Sequence, residues 1–245
     1  MVSRFSKSWR FRSLKTGAMV ILASAVLVGC GQRADTTNEF IDDTEPADRL
    51  YNEALANLSA GRRGPALEKL KEVDRQHPYS EFGRRATVLQ TFVAYRSGKY
   101  DDAIASGERY VQLYPASKDA AYAQYLVGLS HWRQIPDVTR DQENSRKAIQ
   151  AFNTLIERYP DSEYVADSKK KILFANDQIA GKEMLVGRYY QERREHLAAI
   201  SRFRNVVESL NDTRHVEEAL ARLTESYLAM GLTNEAQTAA AILGH

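Results

Sequence analysis

The stretch AYRSGKYDDAIASGERYVQLYPAS, residues 94–117, decides how this chain is organised. It opens on an apolar helix end, breaks at Gly98, restarts at Tyr100 and runs as a second helix to Pro115. Gly98 ends the first helix because a left-handed residue there costs glycine little. Tyr100 packs in the turn, and Ala103 is small enough to let the two helices approach closely. Pro115 stops the second helix, since proline lacks the amide proton and collides with the preceding turn.

Working outward, the same ending recurs. VDRQHPYSEF (73–82), VQLYPASKDA (111–120) and IERYPDSEYV (156–165) each set His or Tyr before a proline and close with Ser. VESLNDTRHV (207–216) keeps the outline with Asn211 in the proline's place. Pro78, Pro115 and Pro160 lie 37 and 45 residues apart, near the roughly 34-residue period of tetratricopeptide repeats. The 94–117 unit resembles the second half of such a repeat almost position for position.

Other units carry the same skeleton. Gly61 and Ala66 flank the turn Arg62-Arg63-Gly64-Pro65; Gly128 and Ala148 are the small positions of a third pair. The fourth has Gly187 and Ala199, and the fifth Gly231 and Ala236. The third pair is stretched by an insertion, RQIPDVTRDQENSRK (133–147). Helical periodicity dominates and no window alternates as a strand would. The fold class expected is therefore all-α, an α-solenoid of about five tetratricopeptide-like helix pairs over 46–245. Residues 163–195 are too long for one repeat helix, and read either as one extended helix or as two that break near Gly181.

The amino-terminal part is different. Arg4, Lys7, Arg10, Arg12 and Lys15 precede an apolar core, Ala18 to Val28, with no acid before Asp35. That layout is a secretory signal, too short to span a bilayer as a helix. It ends at Leu27-Val28-Gly29-Cys30, and Cys30 is the single cysteine of the chain. The ending resembles the lipobox of bacterial lipoproteins, in which the cysteine becomes the lipidated first residue. Several acyl chains give stable anchoring where one does not. The expected division is a signal at 1–29, a flexible lipid-proximal tether at 30–45, amino-terminal repeats at 46–135 and carboxy-terminal repeats at 136–245. Gly31, rather than Asp, after the cysteine fits export to the outer membrane under the sorting rule of enteric bacteria.

Removing the signal also changes the charge. The full chain has 34 Lys+Arg against 32 Asp+Glu; without residues 1–29 the count is 29 against 32, a net −3. The basicity belongs to the export signal, so nucleic acid is not an expected partner. The five histidines form no metal-ligand spacing, and no phosphate loop, nucleophile elbow or dinucleotide fingerprint occurs. Neither an enzyme, a cofactor nor a metal is expected.

A solenoid offers instead the surface lined by its first helices. On the repeat register these carry Phe92, Tyr95, Arg96, Tyr122, Tyr125, Trp132 and Arg133, with Tyr51 and Leu55 from the first pair. Aromatic and Arg side chains are the usual energetic anchors of interfaces. They suit extended peptides with aromatic or carboxylate termini, although each position is equally open to inter-repeat packing.

Beyond the repeats, the lipobox LVGC, RQHPYS, YRSGKYDDAI, YPAS followed by AYAQYLVGLS, the insertion DVTRDQENSRKAIQAFNTLIERYPDSEY and VGRYYQERREHLAAISRFRNVV resemble the BamD (ComL) family. These are lipoprotein subunits of the outer-membrane β-barrel assembly machinery, and the resemblance covers essentially the whole mature chain. It implies an outer-membrane lipid anchor facing the periplasm. The amino-terminal repeats would meet unfolded outer-membrane β-barrel proteins, through Tyr51, Phe92, Tyr95, Tyr125 and Trp132. The carboxy-terminal repeats would hold the POTRA region of an Omp85-type barrel insertase, with other assembly lipoproteins nearby. Arg202 matches the family's basic residue for that contact, and Arg204 is the alternative. A rival expectation is an envelope repeat lipoprotein that organises peptidoglycan or cell-division factors.

Overall fold

The computed structural model describes residues 44–244. Among the described residues ten helices follow one another and no strand occurs. They are α1 (Ala47–Ser59), α2 (Arg63–Gln76), α3 (Glu81–Arg96), α4 (Tyr100–Leu113), α5 (Ala120–Arg133), α6 (Glu143–Arg158), α7 (Val165–Glu192), α8 (His196–Ser209), α9 (Val216–Ala229) and α10 (Thr233–Leu243). Each helix packs on its neighbours in sequence, giving five pairs and the α-solenoid expected. In addition α1 touches α3, α3 touches α5 and α5 touches α7, so the first helices of the pairs share one side.

The turns within four of the five pairs follow one design, the third pair being joined by its insertion. Gly61, Gly98 and Gly231 all adopt left-handed backbone, with φ of 74°, 73° and 73°. The Gly98 N–H donates to Tyr95 O at 3.1 Å and the Lys99 N–H to Ala94 O at 3.0 Å, which satisfies carbonyls at the helix end. The small residue that follows each turn is buried: Ala66, Ala103, Ala148 and Ala199 are fully covered and Ala236 almost so.

The turns between pairs explain the aromatic–proline endings. His77, Tyr114 and Tyr159 cap α2, α4 and α6 with the same backbone, φ −132° in each. The Tyr114 hydroxyl donates to Pro78 O at 3.4 Å and the Tyr159 hydroxyl to Pro115 O at 3.0 Å. His77 Nε2 lies 2.6 Å from Glu45 O. The ring before each proline thus ties its turn to the turn before it. Leu210 keeps the backbone at the end of α8, φ −129°, but brings no donor.

The long segment 163–195 is resolved as one helix. α7 runs 28 residues, Val165–Glu192, straight through Gly181. Gly181 is there for space: a Cβ on it would sit 3.3 Å from both Val138 Cγ1 and His215 Nε2. The insertion lies over the middle of α7, where Lys182 Nζ donates to Thr139 O at 2.7 Å. Gln142, only 2% exposed, holds the loop in shape by donating to Asp137 O at 3.0 Å. The expected boundary at 135/136 falls in this connection, inside the third helix pair.

Gly128 and Gly187 make a second kind of close contact. An added Cβ would meet Phe152 Cε1 at 2.5 Å in one case and Phe203 Cε1 at 2.4 Å in the other. Both phenylalanines are completely buried, each worth roughly 1.5–3 kcal/mol of transfer free energy. The glycine lets the ring lie against the backbone of the facing first helix.

Candidate groove on the first helices

Three first helices, α3, α5 and the start of α7, bring aromatic rings together. Phe92 and Tyr122 have centroids 6.5 Å apart, and Tyr122 and Tyr164 5.5 Å apart. Tyr125 stacks on Tyr164 at 4.7 Å with 18° between planes, and tilts against Phe152 at 6.1 Å. Further along, Trp132 meets Phe174 at 5.4 Å. Lys171 Nζ lies 4.6 Å and the Arg133 guanidinium 5.6 Å from the Trp132 ring, within the range of cation–π attraction. Arg133 Nε donates to the Tyr95 hydroxyl at 3.3 Å. Phe92, Tyr95, Tyr122, Tyr125 and Trp132 are all half-buried, so each packs on the core and keeps a face toward solvent.

Of the residues picked out in the sequence, these five therefore come together. Tyr51 stands one step away, paired with Phe82 at 5.6 Å, in a cluster that shares Phe92 and Tyr95 with the main one. Arg96 is exposed at the end of α3. Tyr164, Lys171 and Phe174 belong to the same surface and were not among the sequence candidates. Their helix departs from repeat length, which hides its register.

Polar groups in the groove are held in defined states. Burial and the neighbouring Asp167 carboxylate push the Tyr125 hydroxyl well above its ordinary value. Burial, with Glu163 adding to it, pushes Tyr164 up to about 12. Both phenols are neutral at pH 7 and act as donors, Tyr125 to Asp167. Burial alone would raise Asp167, but the Tyr125 hydroxyl and Lys171, 3.2 Å away, outweigh it and hold the carboxyl below its usual range. The Trp132 indole N–H is buried without an acceptor. The site thus presents aromatic faces, phenol hydroxyls and cations held against a ring. Among the described residues no His, Cys, Asp and Glu group is arranged to hold a metal ion.

The second set of candidates lies on α8. Leu197, Ile200, Arg202, Arg204 and Glu208 line an open depression of about 440 Å³ with Glu183 of α7. Arg202 Nη1 is 3.2 Å from Glu183 Oε2 and Arg204 Nε is 2.9 Å from Glu208 Oε1. Leu197 is 72% exposed at its rim. Both arginines thus face one surface, framed by an exposed apolar side chain. Cys30 lies outside the described residues.

Paired helices with left-handed turns and aromatic–proline links define a tetratricopeptide-type α-solenoid, and its first helices carry a half-buried aromatic surface. Residues 43–242 match the family described as YfiO, outer membrane lipoprotein, and the chain belongs to that family. Among its relatives, outer membrane protein assembly factor BamD of Caulobacter vibrioides is 39% identical over 225 residues, 92% of this chain and 73% of the relative. The protein of the same name from Rickettsia prowazekii is 34% identical over 226 residues, covering 92% and 88%. That of Neisseria meningitidis serogroup A is 31% identical over 194 residues, covering 75% and 73%.

Proposed function

We propose that this protein is a non-enzymatic scaffold of outer-membrane protein assembly, anchored through Cys30 and facing the periplasm. The observation that carries the reading is family membership over nearly all of the folded chain, together with a groove suited to peptide. In this reading the groove of Phe92, Tyr95, Tyr122, Tyr125 and Trp132 receives extended segments of unfolded β-barrel proteins, with Tyr51 and Arg96 at its margins. Aromatic side chains of such a segment stack on the exposed ring faces.

The α8 depression, in turn, docks the POTRA region of an Omp85-type insertase through Arg202, Arg204 and Leu197. Arginine is favoured at such contacts because its planar fork matches carboxylates. The amino-terminal repeats, 46–135, then serve substrate and the carboxy-terminal repeats, 136–245, serve the insertase and other assembly lipoproteins. Lipid anchoring raises the local concentration of the scaffold near membrane-held partners without a new contact. Affinity purification from detergent-extracted membranes tests this. An Omp85-type barrel protein is expected in the eluate; its absence, or peptidoglycan enzymes in its place, would reject the assembly role.

A further inference from the structure

One edge of the solenoid, where helices turn within a pair, carries a run of cations that begins at the margin of the aromatic surface, with Arg133 and Arg96, and continues beyond it. Arg62 and Arg63 project from the first turn, Arg96 and Lys99 flank Gly98 in the second, and Arg133 ends α5. All five are exposed, and the Arg63 guanidinium donates to Arg96 O at 3.4 Å and so joins the first two turns. Arg133 adjoins them through Tyr95 at 3.3 Å.

None of the five has a carboxylate of the described residues within 4.0 Å, whereas Arg49, Lys69, Lys71, Arg109 and Arg188 are all paired. Asp101 is the acid nearest in sequence to Lys99 without a cation partner; Asp102 is taken by Lys71 at 3.3 Å. The first turn of α2 has no acid at all. On the other edge, the turns between pairs mix Lys118 and Arg214 with Asp119, Asp161, Glu163 and Asp212, so no comparable run of cations forms there.

We propose that this strip docks the folded body on an anionic lipid surface, the phosphate-bearing headgroups of the leaflet that holds the anchor. The inference rests on the anchored reading given above. Crowded like charges repel one another, and a negatively charged membrane relieves that repulsion within a Debye length. Guanidinium groups pair with phosphate in bidentate fashion. Reach also permits it: α1 spans about 20 Å at 1.5 Å per residue. Residues 31–44 can extend at most about 48 Å, so anchor and strip can meet the same surface.

The test uses the full lipidated chain in vesicles of phosphatidylcholine, alone or with about one-third phosphatidylglycerol. An amine-reactive ester followed by mass spectrometry reads the acylation rate of Lys99, with Lys118 on the opposite edge as reference. On the anionic vesicles Lys99 should react several-fold more slowly while Lys118 is unchanged. High salt or the double variant Arg62→Glu/Arg63→Glu should remove the protection, at about fivefold in surface affinity per cation lost. Equal Lys99 rates on the two vesicles would overturn the proposal and leave the strip to an acidic protein surface. Protection that survives in the double variant would overturn it too. Flotation with neutral vesicles reports the anchor separately. If the chain does not float there, the anchor reading fails, and flotation with the anionic vesicles alone then decides the strip: enrichment supports it, none refutes it.

Discussion

Arg194 holds, at φ 62°, the turn position that Gly98 holds at φ 73°. The N–H of Arg194 donates to Gln191 O at 2.9 Å, as that of Gly98 donates to Tyr95 O at 3.1 Å. The two turns are the same, but only one carries a residue suited to it, since a left-handed conformation costs a side-chain-bearing residue roughly 1–2 kcal/mol. Replacing Arg194→Gly should therefore stabilise the protein by about 1 kcal/mol in denaturant titration. Gly98→Arg should destabilise it by a similar amount. No gain for the first variant would mean that the Arg194 side chain makes compensating contacts.

Gly187 and Phe203 form a pair that tolerates no added methyl group. Helix propensity alone favours Gly187→Ala by up to about 1 kcal/mol, whereas overpacking a buried ring costs about 1–3 kcal/mol. With a Cβ only 2.4 Å from Phe203 Cε1, the clash should win and the variant should unfold at lower denaturant. Combining it with Phe203→Leu should restore part of the loss in a double-mutant cycle. Simple additivity would contradict the contact.

Alkaline pH should expose the state of Tyr164. Its folded value of about 12 lies above the ordinary 10, so the neutral phenol contributes stability fully below pH 10. That contribution falls as pH rises through 12. Unfolding free energy should decline across this window, and Tyr164→Phe, which cannot ionise, should flatten the decline. Absorbance of tyrosinate and helical circular dichroism, followed together, provide the check; an unchanged slope would refute it.

On α8, Arg204→Glu reverses a charge whose only carboxylate partner among the described residues, Glu208, is itself exposed. It should leave stability within about 0.5 kcal/mol and reduce recovery of the barrel insertase in co-purification. Arg202→Glu faces Glu183, which is only 17% exposed, so part of its effect will be structural. Arg202→Gln separates the two. Full recovery with both Arg204→Glu and Arg202→Gln would dismiss the site.

Much of this architecture was legible because tetratricopeptide-like pairs write their turns into sequence. Gly98, Ala103 and Pro115 each have one physical reason to be where they are, and that reason recurs with the period. Arg194 broke the pattern: arginine gives no turn signal, so the fourth pair showed its contact glycine, Gly187, and hid its turn. Whether Gly181 ended a helix or made room for Val138 and His215 was likewise undecidable, since φ and packing space leave the same letter. The aromatic groove was readable in α3 and α5, whose lengths obey the repeat. Tyr164 and Phe174 were missed because α7 exceeds repeat length, and only its packing on α5 fixes which of its faces joins the groove.

Site-specific photo-crosslinking in growing cells tests the central claim most directly. A photoreactive amino acid replaces Tyr122 in the groove in one strain and Leu197 beside the α8 arginines in another. The account predicts newly made outer-membrane β-barrel proteins attached at position 122, and an Omp85-type insertase attached at position 197. Peptidoglycan enzymes at either position, or the same partner at both, would contradict it.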